Sequence, residues 1–394
     1  MDATAAAGFL RFFRDLPDPR RGCNAIHKLH DIVVIAVLAV ICGADGWAQV
    51  ALFGRSKAKW LGTFLDLPGG IPSHDTFGLV FARLDPDAFE RCFVAWVSAL
   101  AEATGGRLIA VDGKAIRRSF ERAWDKSGMA HLVSAFVRGN QMVFGQLAVD
   151  GKSNEITAIP RLLALLDLHG AVVTVDAAGC QKAVAAAAVA GGADYVLALK
   201  GNQPTLHRRA LALMTEAALD HARGGAATAG GADGSVRRGV TGRVVEAGHG
   251  RREARRVLVT NDLAGLGKAA AGWAGPGSVV MVESERQDLG DTSGKVTTER
   301  RLYLSSLKSL DAGRMADLVR GHWSVENNLH WQLDVSFDED QRRIRTGHGA
   351  ENYSRLCRIA LNLLKRDTSV KAGIKSKRLT AGWDHDYLLR LISG

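Results

Sequence analysis

The sequence predicts an α/β protein whose mixed sheet is flanked by helices, interrupted by a β-rich insertion and preceded by an all-helical N-terminal domain. Three observations predict it. Apolar residues fall at helical spacing in the first hundred residues. From residue 107 onward, short β-branched runs alternate with helical stretches in the order β-β-β-α-β-α-β. Residues 236–305 then read as a series of short strands.

The helical domain spans 1–105. Asp31–Ala44 is strongly apolar and ends at Gly43, the pattern of a buried helix. Ser73-His74-Asp75 opens another helix after the turn Gly69-Gly70-Ile71-Pro72. Asp85-Pro86 opens the clearest one, with Asp as N-cap and Pro at the first helical position. Behind it Phe89, Phe93, Trp96, Val97 and Leu100 share a face that reads as core.

The character changes at Gly105-Gly106. Arg107–Val111 reads as a strand, and so do His131–Arg138 and Gln141–Asp150 around a two-residue turn at Gly139-Asn140. Glu155–Leu168 reads as a helix, Ala171–Val175 as a buried strand, Cys180–Ala190 as a helix and Asp194–Lys200 as a strand. The α/β domain thus covers 106–204 and resumes at 311–366. The insertion, 205–310, begins with a helix at Pro204, continues through the low-complexity loop Gly224–Gly234, and carries strands at Val257–Thr260, Val279–Glu283 and Arg301–Ser305.

The chain has 394 residues, 47% hydrophobic and 23% charged, enough for a core and against wholesale disorder. Its net charge of +10 favours an anionic partner, nucleic acid first among them. The charge is concentrated late. Residues 341–394 hold twelve Lys or Arg against four Asp or Glu. The basic C-terminal tail, 367–394, is then either a nucleic-acid surface or a solvated helix face. Five cysteines without a CxxC pair argue against zinc ribbons and disulfide frameworks. No signal peptide is evident, and the longest uncharged apolar run, between Asp31 and Asp45, falls short of the about 20 residues that span a bilayer. The expected location is the cytoplasm, with no membrane partner.

Two aspartates close apolar strands: Asp112 after RLIAV and Asp176 after AVVTV. An ionised carboxylate there is costly unless paired or metal-bound, although a turn or cap aspartate also fits. Strand C-terminal ends are where α/β folds place ligands. A third acid, Glu326, lies in HWSVENNLHW, where His322, Glu326 and His330 fall on one helical face and Trp323 and Trp331 read as partly buried. A purely structural helix is the alternative. Asp338-Glu339-Asp340 competes as the source of the third acid. Three carboxylates without a Cys or His ligand set suggest Mg²⁺ or Mn²⁺, and two such ions roughly 3.5–4 Å apart cleave or transfer phosphodiesters. There is no HExxH and no GxxxxGK[ST], so neither zinc nor ATP is indicated.

At these residues the sequence resembles the bacterial insertion-sequence transposases of the As1 type, the H-repeat-associated proteins, within the DDE transposases. The matching segments run along almost the whole chain: HKLHD from His27, GIPSHDTF from Gly70, LDPDAF from Leu84, VDGKAI from Val111 and KSNEITAI from Lys152. DAAGCQK from Asp176, LKGNQ from Leu199, HGRRE from His249, TERRLYLSSL from Thr298, RGHWSVENNLHWQLDVSF from Arg320 and AGWDHDYL from Ala381 follow. The resemblance implies a ribonuclease H-like catalytic domain in which Asp112, Asp176 and Glu326 are both catalytic triad and metal ligands. It also implies N-terminal helices that bind transposon ends.

One departure stands out. A broader related group carries Tyr, Arg and Lys around the Glu, where this chain has Val319, His322 and Leu333. The candidate DNA contacts are Lys114, Lys200, Arg320, His322, Asn327, Arg342, Arg343 and Arg345. The leading expectation is a transposase that acts on terminal inverted repeats and target DNA, with a homodimer possible in the DNA complex. The alternatives are a non-catalytic DNA-binding relic and a nuclease that only hydrolyses.

Overall fold

The computed structural model describes residues 7–20, 25–100, 108–119, 129–149, 155–222, 238–240, 244–248, 250–290, 293 and 295–393. The expected boundary at Gly105-Gly106, the loop Gly224–Gly234 and Lys152–Asn154 of KSNEITAI lie outside them. In chain order the elements begin with α1 (Ala7–Leu10), α2 (Leu29–Ile41), α3 (Trp47–Ser56), α4 (Ala58–Leu61), α5 (His74–Arg83) and α6 (Pro86–Leu100). Then come β1 (Leu108–Ala115), β2 (His131–Val137), β3 (Met142–Val149), α7 (Glu155–Leu163), β4 (Val172–Val175), α8 (Lys182–Ala190), β5 (Asp194–Leu199) and α9 (Pro204–Ala222). The strands β6 (Arg238–Val240), β7 (Val244–Gly248), β8 (Arg251–Thr260), β9 (Ser278–Asp288) and β10 (Val296–Ser305) precede α10 (Ala312–His322), α11 (Trp331–Phe337), α12 (Gly349–Arg366), α13 (Ile374–Trp383) and α14 (His385–Ser393).

These elements form two compact units of a mixed α/β protein. The first comprises Met1–Thr104, Gly113–Leu166 and Val325–Gly394, the second Gly105–Asp112 and Asp167–Ser324.

In the first unit α2 is apolar on all sides and buried along nearly its whole length, as expected for Asp31–Ala44. Ser73 Oγ caps α5 by accepting from Thr76 N, and Asp85 Oδ1 accepts from Asp87 N and Ala88 N at the start of α6. The stripe Phe89, Phe93, Trp96 and Val97 is core. The centre of the unit is α12, which packs against α2, α5, α6 and β3. It buries polar side chains among those neighbours. Asn352 Nδ2 donates to the carbonyls of Phe81 and Leu84, and the Asn362 amide pairs with both backbone groups of Val143. Arg355 lies between Glu90 of α6 and Glu351, and Arg358 reaches Glu339 at 3.0 Å.

The tail is folded rather than trailing. Lys377 Nζ donates to the carbonyls of Leu364 and Asp367, and Arg378 donates to those of Ser336 and Val40. Two of its cations are therefore internal. The β2–β3 hairpin also departs from expectation. Four residues, Arg138–Gln141, join the strands, because the left-handed conformation falls on Gln141 and a bulge follows Ala135. The helix expected to reach Leu168 stops at Leu163. Pro160 lies inside it, and the amides of Leu165 and Leu166 bond three residues back, tightening the last turn.

In the second unit β1, β4 and β5 are parallel neighbours, and β10, β9 and β8 continue antiparallel from β5. The strands of 236–305 thus extend the sheet that β4 and β5 begin. Their apolar halves, Val257, Val259, Val280 and Val282, pack with Tyr303 against Met315, Leu318 and Val319 of α10. These strands are twice as long as their hydrophobic runs. Beyond the core they continue as ladders of opposite charges, Glu253 with Arg286 at 3.2 Å and Glu283 with Arg300 at 2.7 Å.

Candidate active site

Asp112 and Asp176 lie in the second unit. The last paired residues of β1 and β4 are Val111 and Val175, so the two aspartates follow at the same level on adjacent parallel strands. Such strands lie about 4.8 Å apart. Both side chains are half-buried. Asp112 does not close its strand as expected, since β1 runs on to Ala115. Asp176 does close β4, and its Oδ1 accepts from Gly179 N at 3.1 Å. Below it, Thr174 Oγ1 meets His322 Nδ1 at 3.1 Å. Burial pushes the His322 imidazole below its ordinary value, against the opposing pull of the Asp176 charge. His322 is thus engaged within the fold. Lys200 is exposed just after β5, the next parallel strand, and Arg320 is exposed on α10.

Glu326 and Asn327 lie in the first unit, and both are exposed. The segment is not one regular helix. α10 ends at His322, and Glu326–His330 forms a π-helical turn before α11. The wider π turn replaces the α-helical geometry assumed for this segment, although residues four apart still fall near one face of it. Trp323 and Trp331 are exposed rather than partly buried, and the Arg301 guanidinium lies 4.9 Å over the Trp323 ring.

Several candidate cations are spent on structure. Lys114 is paired with Asp334, with Glu339 at 3.4 Å and with Asp340 at 3.9 Å. Arg342 is buried, donates to the carbonyls of Phe337 and Asp45, and covers the Tyr353 ring. Arg345 donates to the Arg118 carbonyl, while Arg343 is exposed. These polar groups found internal partners that a run of basic residues does not reveal.

Glu339, in the patch that competes with Glu326, is fully buried. Burial opposes its charge, yet Arg358, Lys114 and Arg342 outweigh burial and hold it at about 2, below its ordinary 4.5. It is a structural anion. A depressed acid stabilises fully above its unfolded pKa and loses that contribution as pH falls through its folded one. Stability should therefore fall by about 3 kcal/mol from this group between pH 4.5 and 2. Urea titrations across that range check it: Glu339→Gln should flatten the slope.

Among the described residues no group of three His, Cys, Asp or Glu side chains is gathered closely enough to hold an ion. The oxygens of the adjacent Asp112 and Asp176 are the donor type that suits a hard divalent cation.

Sequence reasoning gave no role to a pair beside Gly113. His131 and Glu155 are joined at 2.8 Å, and a Cβ on Gly113 would overlap Glu155 Oε1. The Asp-Gly dipeptide in VDGKAI and the Glu of KSNEITAI were the available signals. Thr174, Asn202 and Gln203 were missed in the same way.

The family described as "Transposase DDE domain" matches residues 103–363, and "DDE_Tnp_1-associated" matches 10–97. The "Putative transposase YncI" of Escherichia coli O157:H7 is 37% identical over 384 residues, covering 98% of this chain and 94% of that protein. The "H repeat-associated putative transposase YhhI" of Escherichia coli strain K12 is 35% identical, covering 96% of each. A piggyBac transposase solved by cryo-EM in a synaptic complex with hairpin DNA aligns at 10% identity and TM-score 0.41, over 96% of this chain and 76% of that one. Among the described residues no helix is long and apolar enough to cross a membrane. Matched along nearly its whole length, the chain belongs to the DDE transposase family and is similar to its H repeat-associated members.

Proposed function

We propose that the chain is the transposase of an insertion sequence, cutting DNA at the element's terminal repeats and joining the freed 3′ ends to target DNA. The observation that carries this reading is the placement of Asp112 and Asp176 side by side on adjacent parallel strands, in a chain of this family. Asp112 and Asp176 would hold Mg²⁺ or Mn²⁺, and Glu326 is the candidate third acid of a ribonuclease H-like triad. When bound, such ions activate the attacking oxygen and stabilise the leaving one.

The remaining roles fall to the chain. Lys200 and Arg320, exposed in the unit that carries both aspartates, grip phosphates, with Asn327 and Arg343 as further contacts. His322 keeps Thr174 and the end of β4 in place. The N-terminal helices, 1–105, read the ends through exposed side chains such as Arg55 and Lys59. Because these helices pack on α12, point substitutions rather than deletion test that role. The protein works in the cytoplasm, as a homodimer on DNA.

A strand-transfer assay tests the reading. With end-bearing duplex, target plasmid and Mg²⁺, joined products are expected. Hydrolysis without joining would make the chain a nuclease, and binding without cleavage a relic.

Affinity for DNA should fall steeply with salt, by roughly 0.9 in log K per log salt for each neutralised phosphate. Replacing the exposed Lys371, Lys375 and Arg390 with Ala should shallow that slope by up to about 3 if each meets a phosphate. An unchanged line would make the tail a solvated surface.

A further inference from the structure

LKGNQ, at the end of β5, has no assigned work beyond Lys200. Its amides reach across to the loop that follows Asp176. Asn202 Nδ2 donates to the Ala177 carbonyl and, at 3.5 Å, to that of Cys180. Gln203 Nε2 donates to the Cys180 carbonyl at 3.1 Å and to Gln181 Oε1 at 3.3 Å. The loop they hold bears on one oxygen of Asp176. Cys180 N closes a turn onto the Ala177 carbonyl at 3.3 Å, and Gly179 N, inside that turn, occupies Asp176 Oδ1. Cys180 itself is fully buried, which anchors the loop's far side. DAAGCQK and LKGNQ are therefore one structure built at the ends of two adjacent parallel strands.

We infer that Asn202 and Gln203 are positioning residues that fix the orientation of the Asp176 carboxylate toward a divalent cation. The inference rests on the proposed role of Asp176. The geometry divides the carboxylate's two oxygens. Oδ1 is tied to the loop through Gly179, and the loop is tied to Asn202 and Gln203, so the direction of Oδ2 follows from those amides. Without them, the loop keeps its own turn and the Cys180 anchor, and Asp176 gains freedom that cation binding would have to remove. Outer groups that orient a ligand typically change metal affinity or activity about 10–100-fold.

The test uses the full chain. Free Mn²⁺ is followed by electron paramagnetic resonance in wild type, Asn202→Ala/Gln203→Ala and Asn202→Asp, alongside Mg²⁺ activation of cleavage, thermal unfolding and DNA affinity. Asn202→Asp keeps the size but replaces the donor by an acceptor facing two carbonyls. Expected are Mn²⁺ binding weaker by about 10-fold or more, a matching rise in the Mg²⁺ needed for half-maximal rate, and recovery of the rate at excess Mg²⁺. Melting temperature and DNA affinity should stay near wild type. Should the double variant not fold, the single Asn202→Asp decides. Wild-type Mn²⁺ affinity in the variants, with or without a lower melting temperature, would overturn the inference. Failure of the underlying reading looks different: Asp176→Asn itself would then leave Mn²⁺ binding unchanged.

Discussion

Asp112→Asn and Asp176→Asn are each expected to abolish DNA cleavage in Mg²⁺ while leaving the fold and most DNA affinity intact. Each change removes one carboxylate charge and keeps the size of the side chain. The loss should exceed the about 10–100-fold that a supporting group costs, because these oxygens would hold the cation directly. The fold should survive, because the side chains are half-buried just beyond the last β1–β4 residue pair. In Asp176→Asn, moreover, the new amide oxygen can still accept from Gly179 N. Cleavage of end-bearing duplex, read with circular dichroism and a binding titration, measures all three quantities. Undiminished cleavage by either variant would remove that residue from the triad. Glu326→Gln belongs in the same series. Its equal loss would make it the third acid, whereas the buried, ion-paired Glu339 is expected to act on stability alone.

The second large effect is on folding. Arg355→Met should destabilise the protein by about 3–5 kcal/mol, because it leaves Glu90 buried without its counter-charge. Glu90→Gln/Arg355→Met should recover much of that loss. The Gln oxygen still accepts from Gln146 N, as Glu90 Oε1 does now, so no fully buried charge is left unpaired, and the remaining deficit is the lost 3.2 Å partner of Glu351. Urea denaturation measures both variants. A single variant within about 1 kcal/mol of wild type would show that water or a shifted pKa relieves Glu90.

Elements whose signals are local were legible in the sequence alone. Apolar runs placed α2, α6, β4 and β5, because burial of a continuous hydrophobic segment needs no knowledge of the partner. Side-chain caps placed the starts of α5 and α6, because Ser73 and Asp85 bond amides two or three residues away. The motifs also placed Asp112 and Asp176 after β-branched runs.

Which charges are internal emerged only on folding. Lys114 and Arg342 read as cations for DNA, and Lys377 and Arg378 as part of a basic tail; yet Lys114, Arg342 and Arg378 are matched to carboxylates or carbonyls far along the chain, and Lys377 to carbonyls ten and thirteen residues away. The same holds for the polar halves of β8–β10, whose ladder partners replace the missing hydrophobic pattern. It holds for α12 as well, where Arg355 and Arg358 sit in the core because acids from α6 and from the Glu339 segment meet them. The π turn at Glu326 had no local signal of its own. Burial of an apolar side chain is decided by its own surface, whereas burial of a charge is decided by a partner that only folding supplies.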